Sequence, residues 1–198
     1  MSQSKPEPID RRSAILMTAL QCFNQNGIEA TPIDEIGRRA GASVGSIYHH
    51  FSSKEGIAIA LLAEGLRSNL RQLEKRLRGV KTAQQGVRTV VVSLIDWISA
   101  NPEWARFIYT VSSSRLAQTG RAQLQEVNDH YARIVGEFFG PHFEAGAFRR
   151  LPPDCLPSLV LGSVHDYARR WLNGQVGSDI TEHTELFASA AWNAVRKV

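Results

Sequence analysis

Apolar residues recur along this chain at spacings of three and four, and there is no convincing run of strict alternation closed by hairpin turns. The pattern therefore predicts helices throughout. From about Ile9 to Gln25, Leu16, Ala19, Leu20 and Phe23 make one apolar face. Asn26-Gly27 stops that helix, because glycine takes the left-handed conformation at a helix end and Ile28 can pack back on the last turn. A long helix follows from about Ser53 to Arg78, with a stripe of Ile59, Leu62, Leu66, Leu70, Leu73 and Leu77. Glu74 and Arg78 can pair on its wet face, and Gly79 ends it. Another helix spans about Ala83 to Ala100. Asn101-Pro102-Glu103 then reads as N-cap, first-turn proline and dipole-favourable acid, opening a helix with Trp104, Phe107, Ile108 and Val111. The polar stretch from Ser112 to Gly120 predicts a break. A helix from about Arg121 to Phe143 comes next, with a kink or an end at Gly140-Pro141, followed by a proline-containing loop from Gly146 to Asp154.

The last two helices are apolar on more than one side. From Leu156 to Leu172, one face carries Val160, Val164, Tyr167 and Trp171, and the opposite side carries Leu161, His165, Ala168 and Leu172. The final helix, about Ile180 to Arg196, is alanine-rich and includes Phe187, Ala190, Ala191 and Ala194. Small residues let helices approach closely. A two-sided helix pair in a chain this size predicts a homodimer interface through Val160, Val164, Tyr167, Trp171, Phe187, Ala190, Ala191 and Ala194, the alternative being a tightly packed core within one chain.

Between the first and the long helix stands a compact motif. Thr31-Pro32-Ile33-Asp34 combines an N-cap threonine, a first-turn proline and an acid, opening a short helix that ends near Arg39. Ala40-Gly41-Ala42 is a tight turn. Ser43 caps a second short helix, Val44 to His50, with Ile47 and Phe51 inward. Two short helices joined by a glycine turn form a helix-turn-helix, whose second helix lies in the major groove of DNA. Gly45 and Ser46 permit close approach to a duplex, and Tyr48, His49 and His50 supply hydrogen-bonding groups. Ser52 or Ser53 caps the long helix, with Glu55 available for a capping box to Ser52. Lys54 thus stands at a helix N-terminus suited to a phosphate.

The run Ala40-Gly41-Ala42-Ser43, then Gly45-Ser46-Ile47-Tyr48-His49-His50-Phe51, then Ser53-Lys54-Glu55 resembles the DNA-binding region of TetR-family transcriptional regulators. The resemblance is strong over residues 9–69, and beyond them it lies only in an all-helical character and a late double-sided helix pair. It implies an all-α protein: an N-terminal three-helix helix-turn-helix DNA-binding domain over 9–69, joined to a C-terminal helical bundle over 70–198 that binds ligand and dimerises. It also implies that Thr31, Ser43, Tyr48, His50 and Lys54 hold phosphates and that Val44, Gly45 and His49 face base edges. Two departures matter. Valine at 44 reads only shape or a thymine methyl, so base recognition leans on His49 and on Arg38 or Arg39. Gly37 stands where alanine is common and permits closer crossing of the two short helices. The resemblance further implies a repressor dimer on pseudo-palindromic double-stranded operator DNA, its recognition helices about 34 Å apart. It is released by a small apolar or aromatic effector that binds better to a conformation with the wrong spacing, the long helix from Lys54 being the lever. Trp97, Trp104, Phe107, Tyr131, Phe138 and His165 are the candidate effector contacts, although aromatic residues at helical spacing also read as plain core.

Composition adds little and excludes more. Of the 198 residues, 43% are apolar and 21% charged, which suits a packed globular chain. The net charge of +4 agrees with a polyanionic partner. Residues 1–54, however, hold six basic residues against five acids, so the DNA reading rests on geometry rather than on a basic block. The polar start, Met1 to Pro8, lacks a signal-peptide core, and no apolar run approaches the length of a membrane span. The expected location is the bacterial cytoplasm, on the nucleoid when bound. Cys22 and Cys155 are too far apart in sequence for a disulfide framework or a metal spacing. Adjacent His49 and His50 point about 100° apart and rarely share an ion. No phosphate loop or nucleophile elbow is present, so neither an enzyme nor a cofactor is expected. The competing reading is a helical sensor or adaptor dimer without specific DNA binding.

Overall fold

The computed structural model describes residues 10–111 and 120–197. Its helices are α1 (Arg11–Asn26), α2 (Ile33–Ala40), α3 (Val44–Phe51), α4 (Lys54–Leu77), α5 (Ala83–Ala100), α6 (Pro102–Val111), α7 (Arg121–Glu144), α8 (Leu156–Leu172) and α9 (Thr184–Val195). Two short 3-10 turns, Pro153–Cys155 and Ile180–His183, precede α8 and α9. Among the described residues no strand is present, and one isolated antiparallel bridge joins Phe148 to Arg196. The expected start of the first helix at Ile9 and the expected break over 112–119 lie outside the described residues.

The helices pack through the stripes that the spacing marks. In α1, Leu16, Ala19, Leu20 and Phe23 are buried against α2, α4 and α6. α4 is continuous across positions 69 and 70 and touches α1, α3, α5, α6 and α7. Its upper half therefore belongs to the core of the helix-turn-helix and its lower half to that of the C-terminal bundle. No loop separates the two, so a tilt of α4 in one must be felt in the other. At Gly65 side chains of α6 pack directly on α4: a Cβ there would lie 2.8 Å from Ile108 Cδ1 and 3.0 Å from Trp104 Cε3.

The structure details four helix ends. Asn101 stands directly before α6, its carbonyl accepting from the Ala105 N–H at 3.0 Å, while its side-chain amide donates to the carbonyl of Trp97 at 2.9 Å and closes the end of α5. α7 continues through Pro141 to Glu144, where only the last turn lies beyond the proline and few helical bonds are at stake. The last helix opens as a 3-10 turn, because Asp179 and Glu182 form a reciprocal capping box that tightens the entry before α9 begins at Thr184. Ser53, not Ser52, caps α4, accepting from the Gly56 N–H at 3.0 Å. With Ser53 as the N-cap the third helical position is Gly56, so the expected capping box of Glu55 with Ser52 does not form; the Glu55 carboxylate is held below its ordinary range by its own backbone N–H and then by Ser53.

The expected dimer residues divide. Val160, Val164 and Ala191 are buried within this chain, where α8 and α9 pack on each other and on α5. Their side chains are part of the chain's own core, which corrects their assignment to a surface. Tyr167, Trp171, Phe187 and Ala194 are half-buried and Ala190 is exposed. Beside them the apolar side chain of Leu186 is 66% exposed.

Candidate nucleic-acid interface

The turn between α2 and α3 is built by backbone chemistry. Gly41 takes a left-handed conformation (φ 65°, ψ 31°), which a residue with a Cβ adopts at a cost. The Ala42 N–H then reaches back to the Gly37 carbonyl at 2.9 Å. Gly37 itself is buried, and a Cβ on it would lie 2.7 Å from the Ala42 carbonyl oxygen. The tightest approach is to the turn, and Ile47 of α3 stands next, its Cδ1 3.5 Å from such a Cβ. Ser43 caps α3 by accepting from the Ser46 N–H at 3.1 Å. Its own hydroxyl proton stays available to an external acceptor.

Ile47 and Phe51, one turn apart, anchor α3 in the core. The opposite face is left to solvent: Val44 is 40% and Tyr48 48% exposed, and Gly45, His49 and His50 are exposed with them. A Cβ on Gly45 would meet only Ser43 Oγ, at 3.9 Å, so the helix presents bare backbone there. The rings of His49 and His50 lie 5.4 Å apart, edge to face. This face carries hydrogen-bonding groups and one flat stretch of backbone, as a groove-reading helix requires.

Three residues expected on DNA are placed otherwise. Thr31 is fully buried, and its hydroxyl donates to the Gly27 carbonyl at 2.6 Å, with the Cys22 carbonyl at 3.3 Å. It fastens the α1–α2 loop and is not available to a phosphate. The Arg39 guanidinium turns back onto α1: Nη1 lies 3.1 Å from Cys22 Sγ and 3.3 Å from Gln25 Oε1, and Glu35 pairs with it at 3.6 Å. It clamps α2 to α1 and does not reach out to bases. Burial pushes the Cys22 thiol up, against the pull of that guanidinium, and it packs as a neutral group. The Lys54 ammonium donates to the carbonyls of Glu29 at 2.7 Å and Thr31 at 3.2 Å. Two of its three donors hold the same loop, leaving one donor and the charge. Arg38 and Arg39 are both exposed, but among the described residues no hydrogen bond or ion pair holds Arg38. A further cation escaped the sequence reading: the Arg12 guanidinium lies 5.3 Å from the centre of the Phe51 ring, beside the end of α3.

A second site lies in the C-terminal bundle. A cavity of about 510 Å³ opens between α4, α5, α6, α7 and α8, within the range of small-molecule sites. Of the candidate effector contacts, Trp97, Tyr131 and His165 line it. Trp104, Phe107 and Phe138 do not, which corrects their assignment. Trp104 packs at Gly65, Phe107 stacks on Phe23 with centroids 6.2 Å apart, and Phe138 fills the space above Gly86. Tyr109, which the spacing did not single out, joins His165 across the cavity wall, hydroxyl to Nδ1 at 2.8 Å. Burial, then the nearby Arg169 charge, holds the His165 pKa below its ordinary value. A neutral imidazole accepting the Tyr109 proton at Nδ1 fits both facts. Burial also drives the Tyr109 hydroxyl upward, so it remains a donor. Trp97 donates from Nε1 to Ser68 Oγ at 3.1 Å, which fixes its ring in the wall.

Comparison with known proteins agrees with this arrangement. Residues 15–61 match the family model described as bacterial regulatory proteins, tetR family. Over 192 residues the chain is 28% identical to the HTH-type transcriptional activator FasR of Mycolicibacterium smegmatis, covering 96% of this chain and 84% of that protein. It is 23% identical to the HTH-type transcriptional repressor BepR of Brucella suis, covering 99% and 97% of the two chains. The fold matches the crystal structure of FadR from Bacillus subtilis in complex with stearoyl-CoA, with a TM-score of 0.77 at 18% identity over 91% of this chain and 97% of that one.

Proposed function

We propose that this chain, which belongs to the TetR family of bacterial regulatory proteins, is a homodimeric repressor that leaves its operator when an apolar or aromatic small molecule enters the cavity between α4 and α8. Sequence-specific DNA binding is the activity of the 9–69 unit, and effector binding and dimerisation are those of 70–198. The observation that carries the reading is the exposed face of α3, with Val44, Gly45, Tyr48, His49 and His50 displayed on a helix whose other face is locked into the core. Ser43, Tyr48 and His50 hold phosphates in this reading, and Arg38 takes the part first given jointly to Arg38 and Arg39. Lys54 contributes its remaining donor and its charge. The protein acts in the cytoplasm, on nucleoid DNA.

Release follows from the continuity of α4. A molecule filling the cavity touches Leu66 and Leu70 on α4 and Ile108 on α6, and α6 also packs on α1. If the filled cavity fits one tilt of α4 better than another, the ligand shifts the population toward that tilt and changes the distance between the two recognition helices. That FadR was solved with stearoyl-CoA supports an apolar ligand in this fold. The dimer contact is proposed through Tyr167, Trp171, Leu186, Phe187, Ala190 and Ala194.

A gel-shift titration against genomic fragments at two salt concentrations tests the reading. A preferred fragment that survives competition at the higher salt is expected. Weak binding that is steeply salt-dependent and equal on every fragment would instead favour a sensor or adaptor without specific recognition.

A further inference from the structure

Three polar side chains of the cavity wall gather at one place. Tyr109 on α6 and His165 on α8 meet at 2.8 Å, hydroxyl to Nδ1. Arg169 follows His165 by four positions, on the same face of α8, and all three line the cavity. The Arg169 charge is felt by both partners: second to burial, it opposes protonation of His165 and favours ionisation of Tyr109. At Tyr109 burial wins, so the hydroxyl keeps its proton and donates it to Nδ1. The neutral imidazole therefore carries its own proton on Nε2. Nε2 bonds to no described residue, and it is not sealed from the surface as Asn69 Nδ2 and Ser93 Oγ are. The opposite wall is mainly apolar, with Leu66, Leu70, Val90, Leu94 and Ile98 from α4 and α5. No carboxylate stands among the described lining residues. Asp166 pairs with Arg169 only at 3.8 Å, with both side chains more than half exposed, and such a pair holds the guanidinium weakly.

Resting on the reading of this cavity as the effector site, we infer that Tyr109, His165 and Arg169 form a carboxylate-recognition point, and that the effector is an organic acid with its apolar body against α4 and α5 and its carboxylate at the α6–α8 wall. An ionised carboxylate only accepts hydrogen bonds, and this wall offers it two donors one helical turn apart. His165 donates from Nε2, and the Arg169 guanidinium donates while supplying the opposite charge. Tyr109 is a positioning residue: its hydrogen bond to Nδ1 fixes the imidazole tautomer and the direction of the Nε2 proton. A primary amide brings one acceptor and no charge to the same place. An amine brings donors to donors and a cation to a cation, which the wall discriminates against.

The test is calorimetric titration of the full chain at neutral pH, at two salt concentrations, with decanoic acid, decanamide and decylamine. The acid is expected to bind about tenfold more tightly than the amide, and the amine most weakly. The margin should narrow at the higher salt, because Arg169 is more than half exposed. In Arg169→Met, an exposed position where the fold is not at stake, the margin is expected to shrink severalfold while the affinity for the amide stays as in the parent. Tyr109→Phe should narrow the same ratio with Arg169 intact, which a merely structural role for the hydroxyl would not do. A margin that survives unchanged in both variants would overturn the assignment of these residues. Equal binding of acid and amide by the parent, or preference for the amine, would overturn the carboxylate-recognition point and leave the cavity reading standing. Binding of none of the three by the folded parent would overturn the cavity reading, and this inference with it.

Discussion

Replacing Thr31 by valine separates two roles that look alike in sequence. As a phosphate contact, Thr31 would matter only to the complex; as a buried fastener it matters to the fold. Its hydroxyl has one proton, shared unequally between Gly27 O at 2.6 Å and Cys22 O at 3.3 Å, so one hydrogen bond is at stake rather than two. Losing it from a fully buried residue leaves a carbonyl without its partner, at about 2 kcal/mol. Valine fills the same volume and buries an extra methyl group, which offsets about 0.8 kcal/mol. The net is about 1 kcal/mol of lost stability, or about 2–4 °C in melting temperature for a chain of this size. Thermal unfolding followed by circular dichroism gives the shift, and the slope of log K against log salt on an operator fragment gives the number of phosphates engaged. The expected result is a lower melting temperature with an unchanged slope. An unchanged melting temperature together with a slope smaller by about 1 would place the hydroxyl on a phosphate and refute the reasoning.

Other expectations follow from the same geometry. Arg38→Ala should weaken DNA binding and lower the salt slope by about 1 without moving the melting temperature. Arg39→Ala should lower the melting temperature and leave the slope alone, since its partners are on α1 and α2; matching effects of the two variants would contradict the division. Lys54→Met removes both the clasp on Glu29 and Thr31 and a charge near the DNA, so stability and salt slope should fall together, and loss of one without the other would show that a role is missing. The folded protein holds His165 below its ordinary value of 6.5, so the unfolded chain takes up a proton before the folded one does. That stabilising contribution is full above the ordinary value and is lost as pH falls through it toward the depressed folded value. Between about pH 7.5 and pH 5.5 the parent should therefore lose more stability than His165→Gln, and parallel losses would mean that the imidazole is not desolvated in the wall.

What could be read in the sequence was whatever its neighbours along the chain determine. The turn at Gly41, the Ser43 cap and the inward pair of Ile47 and Phe51 each involve residues within one or two turns, and residue type alone identifies them. Arg39 and Lys54 are harder to place because their partners come from other segments: Lys54 bonds to residues 25 and 23 positions away, and Arg39 to one 17 away; Thr31 bonds to Gly27 only four positions back, but its residue type does not say that the loop buries it. A polar side chain near a helix end looks the same whether it faces a phosphate or a carbonyl of its own chain. The cavity was legible only as a set of aromatic residues, since Trp97 in the wall and Phe107 in the core share the same helical spacing. Tyr109 and His165 meet across 56 positions, and no local pattern announces that pair.

The central claim is that α3 reads DNA sequence, and selection of bound duplexes from a random library by the parent and by His49→Ala tests it most directly. The parent should enrich a pseudo-palindromic site, and the variant should enrich a site altered at symmetric positions in both halves, because a base contact has been removed from each recognition helix. Recovery of one and the same site by both proteins, with affinity lowered uniformly in the variant, would make His49 a backbone contact, and failure of the parent to enrich any site would contradict sequence-specific recognition by α3 altogether.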